Sequence, residues 1–117
     1  MKGLDRNALE NVADYFRSLA EPTRLCLLNA LRERERTVGE LAEIAESTPA
    51  NVSKHLSLLA RAGFVEKRMQ GTSAYYRIAD PDIYALCDLV CGSIARRLSE
   101  QASVRAKFRR AAKSAGV

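Results

Sequence analysis

One histidine serves the whole 117-residue chain, tryptophan is absent, and the three cysteines stand too far apart for a zinc-finger framework. An odd number of thiols fits a reduced interior in which cysteine acts as a small apolar side chain. No window approaches the roughly 18 consecutive apolar residues that a membrane span needs. The start, Met1-Lys2-Gly3-Leu4-Asp5, turns acidic at once and lacks the apolar core of a signal peptide, which predicts a cytoplasmic protein with no membrane partner. There is no glycine-rich phosphate loop, no nucleophile motif and no carboxylate pair in a plausible pocket, so no enzymatic activity is expected.

What is present is the balance of one soluble globular domain over residues 1–117, with 47% hydrophobic and 28% charged residues. The net charge of +5 is unevenly spread. Residues 1–46 carry seven basic and nine acidic side chains, and residues 79–94 carry three acids and no base. Residues 47–78 carry five bases against one acid, and residues 95–117 seven against one. A basic face of that kind attracts phosphate backbones.

The spacing of Leu9, Val12, Phe16 and Leu19 marks a first helix over 5–20. Pro22 opens a second, with Leu25, Leu27, Leu28, Ala30 and Leu31, which fades into the alternating charges of Arg32-Glu33-Arg34-Glu35-Arg36 as a solvated helix end or loop. Thr37 and Glu40 form a capping-box pair ahead of a short third helix. Thr48 as N-cap and Pro49 as first residue start a fourth helix at about 49–62, which Gly63 ends. Its buried stripe is Val52, Leu56 and Leu59, with the small Ala60 one turn after Leu56. Two strands, Phe64 to Met69 and Ser73 to Ile78, flank Gln70-Gly71-Thr72 in a hairpin over 64–78. A last helix at about 81–104 carries Ile83, Cys87, Val90, Cys91, Ile94 and Leu98, and beyond Arg105 the chain is expected to fray as a basic tail, 105–117.

This order is mainly α with a β-hairpin wing, an α+β arrangement that reads as a winged helix-turn-helix. An α-helix fits the major groove of duplex DNA, and the second helix of the pair presents its N-terminal residues to the base edges. Those residues are Thr48, Ala50, Asn51, Ser53, Lys54 and His55. Lys67, Arg68 and the tip Gln70-Gly71-Thr72 are placed to reach a neighbouring phosphate or the minor groove. His55 is read as a helix-surface or groove-lining residue, not a metal ligand. The competing reading is a winged helix that docks protein through the same polar face; the near-absence of acids over 47–78 favours DNA.

Leu19-Ala20-Glu21-Pro22-Thr23-Arg24-Leu25 resembles the opening signature of the ArsR/SmtB repressors. So do Val38-Gly39-Glu40-Leu41-Ala42, Val52-Ser53-Lys54-His55-Leu56-Ser57-Leu58-Leu59, and Gly63-Phe64-Val65 followed by Tyr75-Tyr76-Arg77-Ile78, in order and spacing over about residues 8–95. The resemblance implies a homodimer built through the first and last helices. It implies binding to double-stranded operator DNA of dyad symmetry, and release by an inducer. The family's thiol site in the third helix is missing from Thr37-Val38-Gly39-Glu40-Leu41, and its zinc-type site in the last helix is missing because residues 80–110 hold no histidine.

Cys26, Cys87 and Cys91 remain. Cys87 and Cys91 are four apart on one helical face, and paired thiolates select soft metals and metalloids. With Cys26 as a third sulfur, the set suits As(III) or Sb(III) or another thiophilic metal as inducer. A related subgroup of the family uses one cysteine on each of these two helices as a disulfide or polysulfide switch, which makes a redox or reactive-sulfur response the alternative. Plain packing in the apolar stripe is the third reading of the same residues.

Overall fold

The structure, a computed structural model, describes residues 1–114, and the side chains of residues 1–112. The element order is α1 (Arg6–Leu19), α2 (Pro22–Leu31), β1 (Arg36–Thr37), α3 (Val38–Ile44), α4 (Pro49–Arg61), β2 (Val65–Gln70), β3 (Ser73–Ile78) and α5 (Asp82–Ser114). This is the mainly helical architecture with an antiparallel hairpin wing that the sequence predicts. The sequence predicts one domain over 1–117; backbone contacts divide the chain into a unit of Met1–Pro81 and a second that begins at Asp82.

Every helix of the first unit starts on a side chain that accepts a backbone N–H which would otherwise go unpaired. Asp5 accepts from Ala8, Glu21 from Arg24, Thr37 from Glu40 and Thr48 from Asn51. Pro22 and Pro49 occupy first helical positions, where no N–H is missed. At Thr37 the capping box closes in both directions, because the Glu40 carboxylate accepts from the Thr37 backbone and hydroxyl. Burial pushes the Glu40 carboxyl up, but Arg34 and these Thr37 bonds outweigh it and hold the group below its ordinary range.

The two turns that frame α4 end in the same way. After α4, Gly63 takes a φ of 88°, with Phe64 N–H donating to Leu59 O and Gly63 N–H to Ala60 O, both at 3.0 Å. That is a Schellman cap. After α3, Ser47 N–H donates to Ala42 O (3.0 Å) and Glu46 N–H to Glu43 O (3.2 Å), so the left-handed position falls on Glu46, with a φ of 51°. The turn between the two helices of the motif therefore closes on a residue type that disfavours this conformation.

Leu27, Leu41, Val52, Leu56 and Leu59 are fully buried and Phe64 nearly so. α2, α3 and α4 converge on these side chains, with Val65 and Tyr76 of the sheet closing one side. At about 1.5–3 kcal/mol for each large apolar side chain removed from water, this cluster is the main driving force for holding α4 in place.

The sheet has three strands in the order β1-β3-β2, all antiparallel. β2 and β3 pair from Val65↔Ile78 to Gln70↔Ser73, which leaves a two-residue turn, Gly71-Thr72. Gly71 alone in that turn has positive φ, 63°, as a II′ hairpin requires of its first central residue.

Two departures from the sequence reading follow from local physics. Arg36, placed in a solvated run, is instead a strand residue pairing with Tyr76, beside Thr37↔Tyr75. The outer edge of β3 supplies the hydrogen-bonding partner that the two residues lack a pattern to announce, and Arg36 Nε–H donates to Ala30 O (2.8 Å). The last helix does not stop near 104: α5 runs to Ser114, and residues 115–117 of the expected frayed tail lie outside the described residues. The stretch beyond Arg105 loses large apolar residues but keeps Ala106, Lys107, Arg109, Arg110, Ala111 and Ala112, all strong helix formers, with no Gly or Pro before residue 115. At 33 residues α5 is about 50 Å long.

Candidate nucleic-acid interface

α4 divides cleanly by side. Val52, Leu56 and Leu59 are buried, and Thr48, Ala50, Asn51, Lys54 and Ser57 are exposed; Ala60, expected in the buried stripe, is exposed too, because it lies at the edge of that stripe near the helix end. Because side chains three and four apart share a helix face, the inward stripe fixes the outward one. Thr48 serves chiefly as the N-cap, its hydroxyl accepting the Asn51 N–H at 3.1 Å. Asn51 is oriented from below: its Nδ2–H donates to Ser47 Oγ at 2.9 Å. The amide keeps a second N–H and a carbonyl oxygen to offer to a base edge. Ser53 is half-buried. Lys54 is exposed and makes no ion pair among the described residues.

His55 departs from its expected place on the outer surface. Its side chain is only 13% exposed, and its Nδ1 accepts a hydrogen bond from Arg24 Nε–H at 3.3 Å, with Glu21 Oε2 at 3.8 Å. The imidazole thus faces α2. Four residues after Asn51 it lies about one turn on, but rotated toward the packed flank of the helix.

The wing also separates into two faces. Alternation puts Lys67 and Met69 on one face of β2 and Glu66, Arg68 and Gln70 on the other. Lys67 is exposed and makes no ion pair among the described residues. Arg68 is engaged within the chain: Nε–H and Nη2–H donate to Glu35 at 3.1 and 2.6 Å, Nη1–H donates to Gln70 Oε1 at 3.3 Å, and the guanidinium lies over Tyr75. Arg77 is bonded to Glu66 at 2.6 Å and stands 3.8 Å from Glu35. The bonds from Arg68, then its charge and that of Arg77, hold the Glu35 carboxyl below the ordinary carboxylate range against the opposing effect of burial. Gln70 and Gly71 are exposed at the tip. The structure therefore brings Asn51, Lys54, Lys67, Gln70 and Gly71 to the surface, and turns Arg68 and His55 toward intramolecular partners.

Two residues of this surface escaped the sequence reading. Glu35 stood in the alternating-charge run and Arg24 within a helix start, and each binds a partner more than 30 positions away. Periodicity carries no signal at that range.

None of the three cysteines is in a disulfide. Cys26 on α2 and Cys87 on α5 are half-buried, and Cys91 is exposed. Among the described residues no group of three or more His, Cys, Asp or Glu side chains is placed to hold a metal ion. No described helix is long and apolar enough to cross a membrane.

Residues 21–67 match the model of the bacterial regulatory protein, arsR family. The HTH-type transcriptional regulator Rv0081 of Mycobacterium tuberculosis is 40% identical over 93 residues, spanning 79% of this chain and 82% of that one. Its crystal structure superposes with a TM-score of 0.77 at 37% identity, covering 83% of this chain and 98% of that one. The homodimeric winged helix-turn-helix DNA-binding domain of Mycobacterium bovis, a possible ArsR-family transcriptional regulator, matches with a TM-score of 0.71 at 33% identity over 86% and 95% of the two chains. A probable mercury resistance operon repressor of Streptomyces lividans is 40% identical over 74 residues, 63% of this chain and 59% of that one.

Proposed function

Because this chain belongs to the arsR family of bacterial regulatory proteins, we propose that it is a homodimeric transcriptional repressor that inserts α4 into the major groove of its operator. The observation that carries the reading is the outward placement of Asn51 and Lys54 over a fully buried Val52-Leu56-Leu59 stripe. Asn51 supplies the paired donor and acceptor that read adenine in the major groove, and Lys54 supplies a phosphate contact independent of sequence. Thr48, Ser53, Lys67, Gln70 and Gly71 complete the contact surface. Arg68 and His55 act behind it.

The dimer reading is supported by large apolar side chains that a single chain leaves in water. On α1 these are Leu9 and Phe16, 45% and 47% exposed, and on α5 they are Val90, Ile94 and Leu98. Monomeric proteins rarely expose apolar residues in contiguous stripes. The M. bovis neighbour is homodimeric.

For the inducer, we assign the thiols of Cys87 and Cys91 to a thiophilic metal or metalloid such as As(III) or Sb(III). The support is the i, i+4 spacing on α5 together with the absence of nitrogen ligands there, and a relative named for mercury resistance. The test is a release assay. The protein is held on a promoter duplex, and arsenite, Cd(II), Zn(II), persulfide and peroxide are added separately. Dissociation by arsenite or Cd(II) alone supports the metal reading, and dissociation by persulfide or peroxide alone replaces it with a sulfur switch. Duplex affinity that does not fall with rising salt, or no binding at all, points instead to a protein-docking module.

A further inference from the structure

Arg24 sits between two elements that the proposed function uses separately. Its Nη1–H donates to the carbonyl oxygens of Arg17 (3.3 Å) and Ser18 (2.9 Å), in the last turn of α1. Those carbonyls belong to the set that a helix end leaves without intrahelical partners. Its Nε–H donates to His55 Nδ1 (3.3 Å) on α4. Its own backbone N–H donates to Glu21 Oε2 (2.9 Å), which fixes the start of α2 beneath the guanidinium. One planar fork thus holds the end of α1 and the middle of α4 in a single rigid geometry.

We propose that Arg24 is a positioning residue that ties the end of α1 to the recognition helix through His55, and that protonation of His55 loosens the tie and weakens DNA binding. The proposal rests on the reading of α4 as the DNA-binding helix, and it adds a regulation of that site by acid.

The argument is one of donors and acceptors. Nδ1 can accept from Arg24 only when the imidazole is neutral and carries its proton on Nε2. A proton on Nδ1 replaces the acceptor with a donor that faces another donor of like charge. α1, α2, α3 and β2 pack against α4. Of the charged groups at the ring, α2 supplies Arg24, bonded at 3.3 Å, and Glu21, at 3.8 Å. Glu21 stays ionised through the relevant range, since the Arg24 backbone bond holds its carboxyl below the ordinary value. At 3.8 Å it is the natural partner of an imidazolium, so protonation draws the ring from the guanidinium toward the carboxylate. The Arg24 Nε–H then loses its acceptor and α4 loses its link to α1. A positive charge added near DNA ordinarily tightens binding. The tie predicts the opposite sign, which makes the two effects separable.

The test uses a duplex of about 30 bp selected by the wild-type chain from a random-sequence pool, long enough for two half-sites one helical turn apart. Affinity is measured at about pH 8 and about pH 5.5. Wild type is expected to bind about tenfold more weakly at the lower pH, the weight of one charge-assisted hydrogen bond. His55→Asn places an oxygen where Nδ1 was and does not titrate. Whatever its affinity at the higher pH, the ratio of its affinities at the two values is expected to stay near one. Arg24→Lys keeps the charge but loses the fork, and is expected to bind weakly at both.

Thermal melts of each variant separate lost binding from lost folding. If wild type tightens at low pH in parallel with His55→Asn, the acid-sensitive tie is overturned. NMR reads the tie without DNA. The chain has one histidine, so its imidazole signals need no assignment by mutation. The Nε2–H tautomer at about pH 8, with amides of the last turn of α1 shifting as His55 titrates, is the expected result. An Nδ1–H tautomer, or shifts confined to α4, would overturn it. If the pool yields no duplex, the DNA-binding reading fails with the acid effect on DNA, while the NMR titration still decides the tie.

Discussion

Arg68 on β2 and Glu35 ahead of β1 are joined by two hydrogen bonds of 3.1 and 2.6 Å, across 33 positions of sequence. The pair fastens the wing to the loop before β1, and Arg77 stands close enough to share the same carboxylate. Glu35 therefore withholds cationic charge from the surface that the wing offers. Replacing it with glutamine keeps an acceptor of similar shape and removes the charge. Glu35→Gln is expected to tighten duplex binding and to steepen the log–log salt slope, by up to about 0.9 for each cation released to a phosphate. A salt titration of the variant beside wild type checks this, and an unchanged slope would mean that the wing does not touch DNA.

The same ion pair gives stability a pH dependence. Glu21, Glu35 and Glu40 all have carboxyls held below the ordinary value of 4.5. A group whose folded pKa lies below its unfolded one leaves the unfolded chain binding more protons as pH falls. Its stabilisation is complete above about pH 4.5 and is lost as pH drops through the folded value. Protonation of these three carboxylates is expected to lower the melting temperature below about pH 4.5. Glu35→Gln should flatten part of that fall, and a variant that melts in parallel with wild type across the acid range would contradict the assignment.

Glu46 closes the turn between α3 and α4 with a φ of 51°, which costs a side-chain-bearing residue about 1 kcal/mol or more. Glu46→Gly is expected to raise stability by about 1 kcal/mol, read as a higher urea midpoint at constant slope. Glu46→Val, β-branched at the same position, should lower it by a similar amount. Loss of stability in the glycine variant would show that the turn relaxes on its own.

The frame of the interface was legible because it is written locally. Thr48-Pro49 and Gly63 mark the ends of α4, and Val52, Leu56 and Leu59 fix its rotation, so Asn51 and Lys54 could be placed outward from spacing alone. Gly71 as the turn glycine is equally local, although Gln70, placed between the strands by the sequence, pairs with Ser73 and leaves a two-residue turn. The rest depends on partners remote in sequence. Arg68 and His55 carry the right chemistry for DNA, and only tertiary structure shows that Glu35 and Arg24 hold them. β1 exists because β3 has a free edge, and two residues cannot signal that in advance. The length of α5 does not show in its amphipathic pattern, because its alanine- and arginine-rich end is helical by propensity and carries few large apolar residues.

Asn51 and Lys54 should fail in different ways. Asn51→Ala removes a base-reading group and is expected to relax preference at one position of each half-site by about 1–3 kcal/mol, with little change in non-specific affinity. Lys54→Ala removes a phosphate contact, so it should weaken binding to all duplexes alike and make the salt slope shallower by about 0.9 for each subunit. Competition with single-base variants of a selected duplex separates the two. If both substitutions leave affinity and selectivity unchanged, α4 is not the reading helix.

The cysteines of α5 offer the last distinction. Packing and sensing place opposite demands on serine, which is close to cysteine in size but binds soft metals poorly. Cys91 is exposed and Cys87 half-buried, so a polar oxygen at either place buries little new polarity. The double substitution Cys87→Ser with Cys91→Ser is therefore expected to melt within a few degrees of wild type and to bind DNA with the same affinity. If the thiols hold the inducer, the variant stays on its duplex at concentrations of arsenite or Cd(II) that release wild type. Cys26→Ser alone then reports whether a third sulfur is required: full release excludes it, and partial release makes it a ligand that strengthens the pair. Normal release from the double variant would return both α5 cysteines to the apolar stripe, as packing residues without a sensing role.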